Sequence, residues 1–199
     1  MTEVAIIDSG GANIASVKYA LERLGATGTL TTSAELIRAA DRVLLPGVGA
    51  AREAMRRLRD AGLVDVIRGL EQPVLGICLG MQLLGDGSEE ENVECLGIIP
   101  GTAQKLAAAE NYPVPNMGWC ATKKTGAHAL LNHIDDGSYF YYLHSYALPL
   151  STHSLAIAQH AVEFSAVIAK DNFMAAQFHP ERSSANGSRL LKNFLELPA

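Results

Sequence analysis

Three times before Gly85 the chain repeats one arrangement: a short apolar run, a glycine-containing turn, then apolar residues at helical spacing. Val4-Ala5-Ile6-Ile7 ends in Asp8-Ser9-Gly10-Gly11. Ile14, Val17, Leu21 and Leu24 then share one helical face, which Gly25 closes. Val43-Leu44-Leu45 ends in Pro46-Gly47-Val48-Gly49 and leads into a helical stretch from Ala51 to Leu70, broken near Gly62. Val74-Leu75-Gly76-Ile77 leads into an apolar helix from Leu79 to Leu84. Continuous apolar runs of this length are buried strands, and strands alternating with helices build βαβ units around a parallel sheet. Ser33 is placed to cap a further short helix through Ala40. In such sheets ligands sit at the carboxyl ends of the strands. The turns after Ile7, Leu45 and Ile77 are therefore where chemistry is to be sought.

The second half changes character. Tyr139 to Leu148 is aromatic and strand-like. Val162, Phe164, Ala166 and Ile168 alternate with Glu163 and Ser165, as in a half-buried strand, and Phe173 to Phe178 is another strand candidate. Leu190, Leu191, Phe194 and Leu195 place an apolar stripe on a C-terminal helix, while Asn111 to Trp119, with Pro113 and Pro115, reads as a structured loop. The expected fold class is α/β in three layers: a mostly parallel central sheet flanked by helices, with antiparallel strands in the second half. A length of 199 residues fits one domain spanning 1–199.

Composition excludes several functions. Apolar residues make up 48% and charged residues 19%, so the chain folds. A net charge of −5 argues against a nucleic-acid partner, which needs a basic face. No apolar stretch reaches the ~20 residues of a membrane span. Met1-Thr2-Glu3 lacks the basic start of a signal peptide, so a cytoplasmic location with reduced thiols is expected. Cys78, Cys95 and Cys120 form no C-x-x-C pair, and His128, His133, His153 and His160 show no ligand spacing, so no metal site is expected. Gly10-Gly11-Ala12-Asn13 is not a dinucleotide fingerprint and no Walker A sequence exists, so no cofactor is expected either.

The strongest chemical signal is Gly76-Ile77-Cys78-Leu79-Gly80-Met81-Gln82, a nucleophile between two glycines at a strand-to-helix junction. Such a turn needs strained backbone angles and neighbours without side chains. The start of the helix favours a thiolate and offers the Leu79 amide to a developing oxyanion. Gln177-Phe178-His179-Pro180-Glu181 supplies a candidate general base, His179, with Glu181 two residues on and facing the same way along an extended strand end. Amides of Pro46-Gly47-Val48-Gly49 would complete an oxyanion hole, although a plain βα turn explains that stretch equally well. His144 reads as a strand-end histidine bonded locally, and Cys95 and Cys120 as inert core thiols.

With these segments in view, the sequence resembles the triad-type, class I glutamine amidotransferases. Leu45-Pro46-Gly47-Val48-Gly49-Ala50, Leu96-Gly97-Ile98-Ile99-Pro100-Gly101, Met117-Gly118-Trp119 and Leu143-His144-Ser145-Tyr146 narrow the resemblance to the glutaminase subunits of imidazole glycerol phosphate synthase. The resemblance implies a flavodoxin-like fold and hydrolysis of L-glutamine through a Cys78-His179-Glu181 triad. It implies oxyanion donors at Val48 and Leu79, and glutamine-binding positions at Gly49, Gln82, Glu90 and His144-Ser145-Tyr146. It also implies a heterodimer in which ammonia passes to a (β/α)8-barrel synthase (cyclase) subunit. That subunit makes imidazole glycerol phosphate and aminoimidazole carboxamide ribotide in L-histidine biosynthesis. The family usually reads Pro-His-Met-Gly-Trp-Asn where this chain has Asn116 and Cys120 in place of the His and the final Asn. The alternatives are the glutaminase subunit of another triad amidotransferase, such as the anthranilate or pyridoxal phosphate enzymes, and a non-catalytic scaffold for a synthase.

Overall fold

The computed structural model describes residues 2–11 and 13–198. Ala12, in the first glycine turn, lies outside them. In chain order the elements are β1 (Thr2–Ile7), α1 (Ile14–Arg23), β2 (Ala26–Thr31), α2 (Ala34–Ala39), β3 (Arg42–Gly47), α3 (Ala51–Asp60), α4 (Val64–Arg68), β4 (Val74–Cys78) and α5 (Leu79–Leu84). They continue as β5 (Gly87–Ser88), β6 (Val93–Glu94), β7 (Thr102–Lys105), β8 (Asn116–Lys124), β9 (Ser138–His144), β10 (Tyr146–Ala147), β11 (Ser154–His160), β12 (Val162–Lys170), β13 (Phe173–Ala176) and α6 (Ser184–Glu196).

The βα units form where the sequence places them, and their ends follow local chemistry. Asn13 Oδ1 accepts the Ser16 amide at the start of α1, and Ser33 Oγ accepts the Leu36 amide at the start of α2. Gly62, at φ +66°, separates α3 from α4.

Nine strands make one sheet in the order β2-β1-β3-β4-β13-β12-β11-β8-β9. It is parallel from β2 to β13 and antiparallel from β13 to β9. A small second sheet takes the order β10-β7-β5-β6. Side chains alternate across β1. Val4 and Ile6 join a core with Val17 and Leu21 of α1 and Leu190, Leu191 and Phe194 of α6. Ala5 and Ile7 face the other way, into a core with Ile37, Met55, Leu58, Ile67 and Met81 from α2 to α5. Helices therefore cover both faces of the sheet, which gives the three layers.

The sequence reading differs from the structure in several places. β2 was not anticipated; it is a sheet-edge strand, and its threonines carry no apolar run. β12 is not half-buried, because Phe164 to Ile168 are all buried. Its Ser165 reads as a solvent-facing residue but is buried and satisfied by Pro149 O at 2.8 Å and Ser154 Oγ at 2.7 Å. The aromatic stretch is not one strand: it breaks at Ser145, and β10 continues in the other sheet. Asn116 to Trp119 is not loop but the start of β8, paired with β9. Pro113 and Pro115 lie just before it and obscure the strand that follows.

Candidate active site

β3, β4 and β13 are parallel neighbours, with Gly47 opposite Cys78 and Ala176 opposite Ile77. Their carboxyl ends open side by side. This brings Val48-Gly49, Cys78 and Gln177-Phe178-His179 together, although the last two are far apart in sequence. The insertion of β13 next to β4 supplies a proximity that spacing alone does not encode.

Cys78 ends β4 at φ 55° and ψ −109°, a conformation unfavourable for a side-chain-bearing residue. The flanking glycines explain why the turn closes. A Cβ on Gly80 would lie 1.7 Å from Leu45 O, and one on Gly76 would lie 2.8 Å from Gly80 O. Backbone therefore rests on backbone where α5 crosses β3. The thiol is buried, 3.6 Å from Leu143 O and 3.8 Å from the Nε2 of Gln177.

Opposite it, His179 is fixed from three directions. Its amide donates to Tyr141 O at 2.9 Å. Its carbonyl accepts the Ser183 hydroxyl at 2.7 Å, and Ser183 Oγ in turn accepts the Tyr141 amide at 2.9 Å. Its Nδ1 meets Glu181 Oε1 at 2.9 Å, with both side chains almost fully buried. Phe178 anchors the approach, stacked 3.9 Å from Phe140. Sequence reading expected His179 and Glu181 to face the same way along an extended strand end. Instead β13 ends at Ala176, and residues Pro180–Arg182 form a 3₁₀ turn capped by His179, which curls the carboxylate back under the imidazole. Burial disfavours the imidazolium, but the neighbouring Cys78 sulfur and the Glu181 carboxylate outweigh it and raise the His179 pKa to about 10. Nε2 of His179 is buried without a hydrogen-bond partner and faces the cavity.

That cavity has a volume of about 250 Å³, and Cys78 and His179 line it together. Val48, Gly49 and Leu79 form one wall, and Gln82 and Glu90 another. His144, Ser145 and Tyr146 close the side where the chain leaves β9 for β10. Gln82 donates to Tyr146 O at 2.8 Å and approaches Gln177 Oε1 at 3.3 Å. Glu90 Oε2 accepts the Ala51 amide at 3.2 Å, tying its segment to the start of α3. Every expected site residue thus lines the cavity except Glu181, which acts on it through His179.

Asp8 to Gly11, the described part of the first glycine turn, are not among the residues that line the cavity. They stand behind the second turn: Ser9 Oγ donates to Pro46 O at 2.8 Å, and a Cβ on Gly11 would lie 3.3 Å from Val48 O. His144 is buried and bonded locally, as expected of a strand-end histidine, yet it also faces the cavity. Cys95 is a core thiol with its pKa pushed up to about 11 by burial. Cys120 is only half-buried and so is not a core residue. Sequence reading gave no role to Gln177, Ser183 or Asn116. Each is a single buried polar residue without a spacing partner, and only its burial betrays it. Among the described residues, no group of His, Cys, Asp and Glu is arranged to hold a metal, and no helix is long and apolar enough to cross a membrane.

Fold and site together define a glutamine amidotransferase of class I. The sequence model of the family Glutamine amidotransferase class-I matches residues 5–197, and the chain belongs to that family. Two solved structures share the fold. One, described as a glutamine amidotransferase, has a TM-score of 0.75 at 19% identity and covers 97% of each chain. The other, PurLQS from Thermotoga maritima, has a TM-score of 0.72 at 15% identity, with 98% of this chain and 97% of that one covered. Within the class, the chain groups with the imidazole glycerol phosphate synthase subunits HisH. It is 48% identical to that of Xylella fastidiosa strain Temecula1 over 199 residues, all of both chains. It is 46% identical to that of Vibrio cholerae over 200 residues, 98% of each.

Proposed function

We propose that residues 1–199 form one glutamine amidotransferase domain, the glutaminase subunit of an imidazole glycerol phosphate synthase in histidine biosynthesis. The chain hydrolyses L-glutamine to glutamate and ammonia, and hands the ammonia to a synthase subunit with a (β/α)8-barrel fold. The observation that carries this reading is a thiol on a strained turn sharing a cavity with an imidazole whose far nitrogen is held by a buried carboxylate.

Cys78 Sγ, its proton passed to His179 Nε2, attacks the carboxamide carbon of glutamine, and the carbonyl electrons move to oxygen. The amides of Val48 and Leu79 receive that oxyanion. His179 gives its Nε2 proton to the departing nitrogen, leaving a thioester on Cys78. It then takes a proton from water as the water attacks the thioester, and glutamate leaves. Glu181 holds the imidazole in place through Nδ1. Gly49, Gln82, Glu90 and the 144–146 backbone hold the substrate.

Beside the cavity, Met117, Trp119 and Tyr139 are exposed, and Arg182 lies 4.4 Å over the Tyr141 ring. This apolar and cationic face suits the synthase subunit. The unpaired cysteines suit a cytoplasmic location.

The test is Cys78→Ala in the assembled complex. Glutamine-dependent synthesis is expected to vanish while synthesis from added ammonia persists. Loss of both, or retention of both, would overturn the assignment.

A further inference from the structure

Asn116 and Cys120, the two departures from the segment typical of the family, touch each other: Cys120 Sγ lies 3.5 Å from Asn116 Oδ1. Asn116 is buried at the start of β8, opposite His144 of β9. Its Nδ2 is 3.2 Å from His144 Nε2, and His144 Nδ1 is 3.0 Å from Tyr146 O. The same carbonyl takes the Gln82 amide at 2.8 Å.

Donor and acceptor chemistry fixes the direction of each bond. A carbonyl only accepts, so His144 Nδ1 carries a proton. Burial lowers the His144 pKa to about 4, so at neutral pH the ring has no second proton and Nε2 is an acceptor. That acceptor requires a donor, which is the Asn116 amide nitrogen. Asn116 Oδ1 must then point the other way, towards Cys120. Burial raises the Cys120 pKa, so the thiol keeps its proton and donates it to that oxygen. The bonds run in one sense, from Cys120 through Asn116 and His144 to Tyr146.

They end in the cavity wall beside Ser145. There the chain passes from one sheet to the other: Ser145 O accepts the Leu106 amide at 2.9 Å, and the side chains of His144 and Gln82 hold the next carbonyl, Tyr146 O. We propose that Asn116 and Cys120 are positioning residues: through the Nδ1–H tautomer of His144 they set the 143–146 backbone against which glutamine is held. This rests on the glutaminase reading given above.

The test uses the complex with its synthase subunit and follows glutamine kinetics, melting temperature and ¹⁵N shifts of labelled histidine. The parent is expected to show His144 as the Nδ1–H tautomer. Cys120→Ala should raise KM for glutamine about threefold, the scale of one modest hydrogen bond, with kcat little changed. Cys120→Ser, which restores a donor, should bring KM back. Asn116→Leu should raise KM further and abolish the hydrogen-bond signature at Nε2. An Nε2–H tautomer in the parent would overturn the proposal. So would an unchanged KM in folded Cys120→Ala, or a KM that follows melting temperature and is not rescued by serine. Absence of glutamine hydrolysis by the parent complex would instead overturn the glutaminase reading, and the tautomer would still decide the relay.

Discussion

His179 shows how one residue is tuned against its own surroundings. Burial works against its charge, yet the Cys78 sulfur and the Glu181 carboxylate raise its pKa to about 10. The proton proposed to leave with ammonia is therefore present across the neutral range. Glutaminase activity should fall as pH rises through about 10, reported as a property of the coupled Cys78–His179 pair. Glu181→Gln removes one of the groups that hold the proton, so this limb should move to lower pH, and activity should fall less than in Cys78→Ala. A pH–rate profile of the two proteins checks this, and an unmoved limb would contradict it. Residues at this scale were unevenly legible. Cys78 was readable because its chemistry requires glycine on both sides, which leaves a pattern. Ser183 and Gln177 hold the same site, but Ser183 ties the nearby His179 carbonyl to the distant Tyr141 amide and Gln177 reaches a thiol only by folding, so no local pattern marks them.

At the scale of elements, the site depends on two places where a helix meets backbone without a side chain between. Gly80 sets α5 against β3. Gly187 sets α6 against the His179–Glu181 turn, since a Cβ there would lie 2.0 Å from Pro180 O. Gly80→Ala should cost about 3 kcal/mol or more, because a carbonyl oxygen in a central strand has nowhere to move. Urea denaturation measures it, and a loss below about 1 kcal/mol would show that the crossing can open. Gly187→Ala should destabilise and also reduce glutaminase activity, because the carbonyl it pushes belongs to the turn that carries Glu181. Unchanged activity in a destabilised protein would separate the two effects and refute the link. The βα units were legible because burial on both faces writes a continuous apolar run. β2, β8 and β11 were not, since edge position, preceding prolines and short alternation hide them.

For the whole molecule, two histidines bend the stability curve in opposite directions. The folded-state pKa of His144 is lowered to about 4 by burial, so between pH 6.5 and about 4 the unfolded chain gains a proton that the folded chain refuses. Stability from this residue is lost as pH falls through that window. His179 is raised to about 10, so its contribution is complete below 6.5 and is lost as pH rises towards 10. Together they place a maximum near pH 6.5, which a series of thermal melts against pH would reveal. His144→Gln should flatten the acid side alone; a flattened alkaline side would contradict the assignment. The three-layer plan was legible from the first half, whereas the position of β13 was not, because nothing local says which strand stands next to β4. That position has a consequence for how the protein is made. β13 follows every other strand of the described residues yet belongs in the middle of the sheet, so β4 is synthesised long before its second neighbour and waits with one edge open. A chain stopped at Lys170 would carry the proposed nucleophile without its histidine, and a central strand with one edge open. Copies that stop there are thus expected to be silent as catalysts and prone to stick to one another, and only the arrival of β13 and the turn after it both closes the sheet and brings His179 to the thiol's cavity.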